Sequence, residues 1–261
     1  MAMFAEPGTM EVMTMLNDET RRKLLELNLP EVITAIEAQN RDIAYAELSF
    51  DERMQRITDY IYQEKYNKRV KTLIKQAKFR VPADISSIYY PERGFVRDDI
   101  LRLSECSFIN AHKSIVIHGA TGSGKTYLAC AVGKEACKQR IRTKYIRLPD
   151  LLMEYDELSA IPNGRQKILK KYSSFDLLIL DEWLFGDMTD NDIAFLFELI
   201  ERRYDTSATI YCTQYPKKDW HDRLGGGVHA DSIMDRIVHN SEWIFAGGKN
   251  MRELTSKADI D

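Results

Sequence analysis

The feature that most constrains the fold is the loop Gly119-Ala120-Thr121-Gly122-Ser123-Gly124-Lys125-Thr126. It follows a short β-branched run, Ser114-Ile115-Val116-Ile117-His118, and precedes a helical apolar pattern over residues 126–138. The loop matches G-x-x-x-x-G-K-[ST], which average residue usage produces by chance in roughly one chain in a hundred of this length. A strand before and a helix after are the context that the pattern requires. Glycines let backbone N–H groups curl around phosphate oxygens, and the helix N-terminus adds a favourable dipole. Lys125 is placed to reach the β- and γ-phosphates of ATP, and Thr126 to set its hydroxyl on Mg2+. The expected nucleotide set is therefore Gly119 to Thr126 with the adjoining Tyr127.

Three further runs read as strands: Tyr145-Ile146-Arg147-Leu148, Leu177-Leu178-Ile179-Leu180 and Ala208-Thr209-Ile210-Tyr211-Cys212. Short apolar strands separated by helical patterns imply a parallel sheet covered on both faces, an α/β fold. The run at 177–180 delivers two adjacent acids, Asp181 and Glu182, at the strand end where such sheets bind ligands. Asp181 suits magnesium, through water, and Glu182 suits activation of an attacking water. The run at 208–212 delivers Thr213 and Gln214, either of which has the polarity to sit between water and a γ-phosphate. Arg236, in an amphipathic stretch, and Arg252, in Gly247-Gly248-Lys249-Asn250-Met251-Arg252, are the later arginines weighed for a part in that chemistry, against the solvated surface role usual for arginine.

Residues 10–82 read as a small all-helical domain, with Pro30 opening one helix and Ser49/Glu52 at capping-box spacing before another that Pro82 ends. Residues 83–113 read as a linker, 114–255 as the ATPase domain, 1–9 as a disordered leader and 256–261 as a tail. Net charge is −3, yet residues 65–80 carry seven basic side chains and no acid, and a second basic cluster spans Arg165 to Lys171. Local patches matter more than the total for phosphate binding. Lys68, Arg69, Lys71 and Lys75 are the first candidates for DNA contact, and Lys167, Lys170 and Lys171 the second. No apolar run reaches membrane-spanning length and no secretory pattern opens the chain. The cysteines at 106, 130, 137 and 212 form no CxxC pair, so a zinc site is not expected. Cys130 and Cys137 read as small core residues, and a reducing cytoplasm is the default.

The order of these motifs resembles the IstB family: the phosphate loop, Asp181-Glu182-Trp183, Thr213-Gln214-Tyr215-Pro216, Trp220-His221, Asp235-Arg236 and Gly248-Lys249-Asn250-Met251-Arg252. Leu29-Pro30, Leu48 to Arg53 and Tyr90 to Arg93 also look like that family, so the likeness covers nearly the full chain. These are AAA+ ATPases that assist insertion-sequence transposases and are similar to DnaC-type helicase loaders. The resemblance implies a P-loop AAA+ core beside an N-terminal helical domain. It gives Gln214 the sensor-1 position, Arg236 the arginine finger and Arg252 sensor 2. Asparagine is common at sensor 1, so glutamine here leaves Thr213 as a sharer of that role. It also implies a homo-oligomer with ATP at subunit interfaces, duplex DNA and a transposase as partners. A replicative helicase loader shares the fold and is the first rival. A small-molecule kinase would need an acceptor pocket and no Glu182, and a pure scaffold would tolerate loss of Glu182.

Overall fold

The computed structural model describes residues 16–88 and 95–247. The chain divides into two compact units, Met1–Arg69 and Val70–Asp261. In the first, Asn17 accepts from Thr20 N at 2.7 Å and caps α1, Asp18–Glu26. Pro30 stands in the first turn of α2, Pro30–Arg41. Ser49 and Glu52 form the expected reciprocal cap on α3, Phe50–Ala77: Ser49 N donates to Glu52 Oε2 at 2.8 Å and Glu52 N to Ser49 Oγ at 3.3 Å. Gln39 Nε2 donates to Arg53 O at 2.9 Å and ties α2 to α3. The boundary between the units falls within α3, which ends at Ala77 rather than at Pro82. Lys78 there takes φ 56°, a left-handed conformation that closes a helix.

The second unit is built on five parallel strands: β1 Ser114–Gly119, β2 Thr143–Arg147, β3 Leu177–Asp181, β4 Ala208–Thr213 and β5 Ser241–Ala246, in the order β2-β3-β4-β1-β5. Sequence reading identifies the first four. It misses β5, whose Ser-Glu-Trp-Ile-Phe-Ala pattern is half-exposed at the sheet edge. Alternation sorts the strand side chains into two cores. Ile115, Ile117, Leu177, Ile179, Ile210 and Cys212 face one, with α4 (Arg97–Ser104) and α6 (Lys125–Lys138) over them. Between α4 and β1 lies the short α5, Ser107–Asn110. Val116, Leu178, Leu180 and Tyr211 face the other core, under α7 (Leu148–Ser159), α8 (Gly164–Ser173), α9 (Asp190–Arg203), α10 (Trp220–Arg223) and α11 (Gly227–His239). Ile88, Phe95, Ile100, Leu103 and Ile109, from the stretch read as a linker, are buried in the first core. Cys130 and Cys137 are buried, as expected of small core residues. Among the described residues no helix is long and apolar enough to cross a membrane.

Parallel pairing brings the C-terminal ends of all strands to one edge. The register sets Arg147 beside Asp181 and His118 beside Thr213. Because β4 lies between β1 and β3, its end separates the phosphate loop from the acid pair. Gly119 is demanded by packing as well as by the loop, since a Cβ there would lie 2.2 Å from the Ala246 carbonyl oxygen of β5.

Candidate nucleotide site

The loop after β1 turns through Gly122 and Gly124, at φ 82° and 94°, values at which a side chain would be strained. Gly124 stands at the N-cap of α6, so the first N–H groups of the helix, which have no intrahelical acceptor, lie where the loop ends. Lys125 Nζ folds back over the loop and donates to Gly119 O at 2.8 Å and Ala120 O at 2.7 Å. The Tyr127 hydroxyl leaves this cluster for the backbone of Asp84, whose N–H it accepts at 3.3 Å.

Thr126 Oγ1 donates to Asp181 Oδ2 at 2.7 Å, joining motifs far apart in sequence. Asp181 is only 2% exposed. A buried carboxylate must be fully hydrogen-bonded. Tyr145 OH donates to the same Oδ2 at 2.7 Å, and Glu182 N donates to Oδ1 at 2.9 Å. Burial, followed by the Asp181 charge, raises the Tyr145 pKa, so the phenol stays a donor. Glu182 itself has φ 57°, a conformation that costs a non-glycine residue energy and that clusters at functional sites. Arg80 Nη1 donates to Glu182 Oε1 at 2.8 Å, and Arg147 Nη1 lies 3.6 Å from Oε2.

At the end of β4 the two polar candidates part company. Thr213 Oγ1 is buried, donates to Trp183 O at 2.9 Å and accepts from Tyr215 N at 3.1 Å. Gln214 Oε1 instead accepts from Thr121 Oγ1 of the phosphate loop at 2.7 Å. His118 lies beneath the loop, with burial first and then the charge of Lys125 lowering its pKa.

Arg236 is apart from this cluster. On α11 it pairs with Glu201 of α9, donates to Ser232 O at 3.0 Å and lies over the Phe197 ring. Asp231 and Asp235, the nearest acids in sequence, face His221 and His239 instead. Arg252 and the rest of 248–252 lie outside the described residues, as do Tyr90 to Arg93. Lys68, Arg69, Lys71 and Lys75 are exposed on α3. On α8, Lys167 and Lys170 are exposed, while Lys171 meets Glu154 at 2.5 Å and Arg165 meets Glu198 at 3.1 Å.

Three residues of the site escape sequence reading: Arg80, Tyr145 and Arg147. Arg80 is hidden in the basic run it ends. Tyr145 and Arg147 alternate on one strand, and the usable signal was that two polar-tipped residues share a face at a strand's C-terminal end.

A family model described as IstB-like ATP binding protein matches residues 22–258. An insertion sequence ATP-binding protein of Sinorhizobium fredii, y4uH, is 31% identical over 94% of this chain and 99% of its own length. A second from the same organism, y4pL, is 34% identical over 72% of this chain and 77% of its own. The DnaC helicase loader crystal structure superposes with a TM-score of 0.55 at 22% identity, covering 66% of this chain and all of that one, a likeness of fold.

Proposed function

The chain belongs to the IstB-like ATP binding protein family, P-loop ATPases with the AAA+ fold, and from that premise we propose that it assembles with ATP on duplex DNA and prepares that DNA for the transposase of its insertion element. The observation that carries the catalytic reading is the 2.7 Å hydrogen bond from Thr126 to Asp181, because it unites the phosphate loop with the acid pair. A hydroxyl and a carboxylate are hard oxygen donors, the set that suits magnesium when nucleotide phosphates and water supply the remaining ligands. Magnesium bound there would neutralise phosphate charge. Lys125 exchanges the Gly119 and Ala120 carbonyls for phosphate oxygens, and Glu182 accepts a proton from, or orients, the attacking water. Gln214, rather than Thr213, senses the γ-phosphate, since its amide already touches the loop while the Thr213 hydroxyl is engaged in the backbone. Arg236 acts on the ATP of a neighbouring subunit, and Arg252 on that of its own.

The insertion-sequence relatives support a transposition setting, for which the cytoplasm is the proposed compartment. DNA is held by its backbone, through α3 and α8, so binding is largely independent of sequence and weakens with salt. Repetition around an oligomer lets a chain of net charge −3 bind tightly.

Glu182→Gln tests this function. It should keep ATP binding, lower turnover by roughly 10²–10⁴, and trap ordered assemblies on duplex DNA, visible by electron microscopy with ATP and magnesium. Wild-type turnover in that variant sinks the assignment. Capture of a replicative helicase, with no capture of the transposase, would turn the reading towards a helicase loader.

A further inference from the structure

Hydrolysis by Lys125, Asp181 and Glu182 gives Arg80 no role, yet Arg80 lies against the acid pair. Its Nη1 donates to Glu182 Oε1 at 2.8 Å, while Arg147 Nη1 faces the other oxygen at 3.6 Å. The Tyr145 hydroxyl donates its hydrogen bond to Asp181. A carboxylate that accepts from one guanidinium and faces a second has part of its hydrogen-bonding capacity and its charge engaged by protein. The two cations differ. Arg147 Nε is anchored on Asp150 Oδ2 at 2.8 Å, at the start of α7. Arg80 comes from the segment that follows α3, and Glu182 is the acid with which it pairs.

We propose that Arg80 is a positioning residue that restrains Glu182, so that hydrolysis waits on withdrawal of its guanidinium. The inference rests on Glu182 being the water-activating group. The pair suits a releasable restraint, because its side chains are 44% and 28% exposed. Partly exposed pairs are screened by solvent and are weak enough to open. A fully buried pair would be a fixed structural element instead.

The experiment measures single-turnover hydrolysis at saturating ATP, with a fluorescent ATP analogue reporting affinity, in Arg80→Gln, Arg80→Lys and Glu182→Gln. Arg80→Gln should raise the basal rate about three- to tenfold, with KM and analogue affinity unchanged. Arg80→Lys keeps the charge and should return the rate towards wild type. Arg80→Met, which retains the aliphatic stem, gives the same readout if Arg80→Gln does not fold. An unchanged or lower rate in the neutral variants overturns the proposal. If Glu182→Gln turns over normally, the assignment of Glu182 has failed and the restraint with it. If Glu182→Gln is inactive while neutral Arg80 variants match wild type, the role of Arg80 alone has failed.

Discussion

At the C-terminal edge of the sheet, Asp181 is buried and takes hydrogen bonds from Thr126, Tyr145 and the Glu182 backbone. On α3, Lys68, Arg69, Lys71 and Lys75 are exposed to solvent. In the first region each oxygen of the carboxylate has a specific partner, and geometry limits what the group can do. In the second the charges act by number and proximity, and a phosphate backbone can be met by several of them interchangeably. Helix α8 falls between, because Lys171 and Arg165 are drawn to Glu154 and Glu198 while Lys167 and Lys170 face solvent. A basic run is therefore an upper bound on a nucleic-acid surface. Arg80 shows this most sharply, since it ends the richest run and donates to Glu182 of the candidate nucleotide site.

The largest expected effect tests whether a third region, α11, belongs with the first. If Arg236 acts on a neighbour's ATP, Arg236→Ala should lower turnover by roughly 10³–10⁵. Mixing it with Lys125→Ala subunits should restore activity, because some interfaces then combine an intact finger with an intact phosphate loop. If Arg236 serves only its pairing with Glu201, its loss should cost at most about 1 kcal/mol of stability and leave turnover nearly unchanged. Absence of rescue in confirmed mixed assemblies excludes action in trans. The next effect is on DNA. Changing Lys68, Arg69, Lys71 and Lys75 together to Ala should weaken duplex binding and flatten the dependence of log affinity on log salt, by about 0.9 for each phosphate that is no longer neutralised. ATP binding by the isolated subunit should persist. An unchanged slope would move the DNA surface to Lys167 and Lys170.

What was legible in the sequence follows the same division. The phosphate loop and the acid pair are local: a strand, a turn and a few side chains make up each motif, so spacing alone proposes them as the site. The capping box of α3 is local too. Contacts between distant segments were not legible. Tyr145 reads as one more strand residue until β2 is laid beside β3, and Arg80 reads as one more cation until its segment is folded against the sheet. Arg203 is the extreme case. It is buried, its pKa is lowered to about 10 by that burial, and it donates to Thr209 Oγ1 and to the carbonyls of Tyr172 and Phe175. Spacing puts it on the apolar stripe of α9, three and four residues after the buried Ile200 and Leu199, but a cation at a helix end ordinarily carries its head to water, so the stripe does not announce its burial. Strand β5 was missed although Trp243 to Ala246 is a continuous apolar run, because only Asn240 separates it from α11 and no glycine or proline marks where helix gives way to strand.

The smallest predicted effect separates the two regions by stability rather than by activity. Tyr145 is 7% exposed, and its hydroxyl shares Asp181 Oδ2 with Thr126. Tyr145→Phe removes that donor without changing the ring, so core packing is preserved. It leaves a buried carboxylate oxygen with one partner fewer, and a hydrogen bond to a charged group is worth about 1.5–3 kcal/mol. Denaturant unfolding in the absence of nucleotide should show a loss of that order, with an unchanged slope. The quadruple alanine variant of α3 should stay within about 0.5 kcal/mol of wild type per substituted site, as substitutions at exposed surface positions usually do. If Tyr145→Phe unfolds like wild type, the buried cluster around Asp181 is not held by its hydrogen bonds, and the contrast between the two regions fails on its better-defined side.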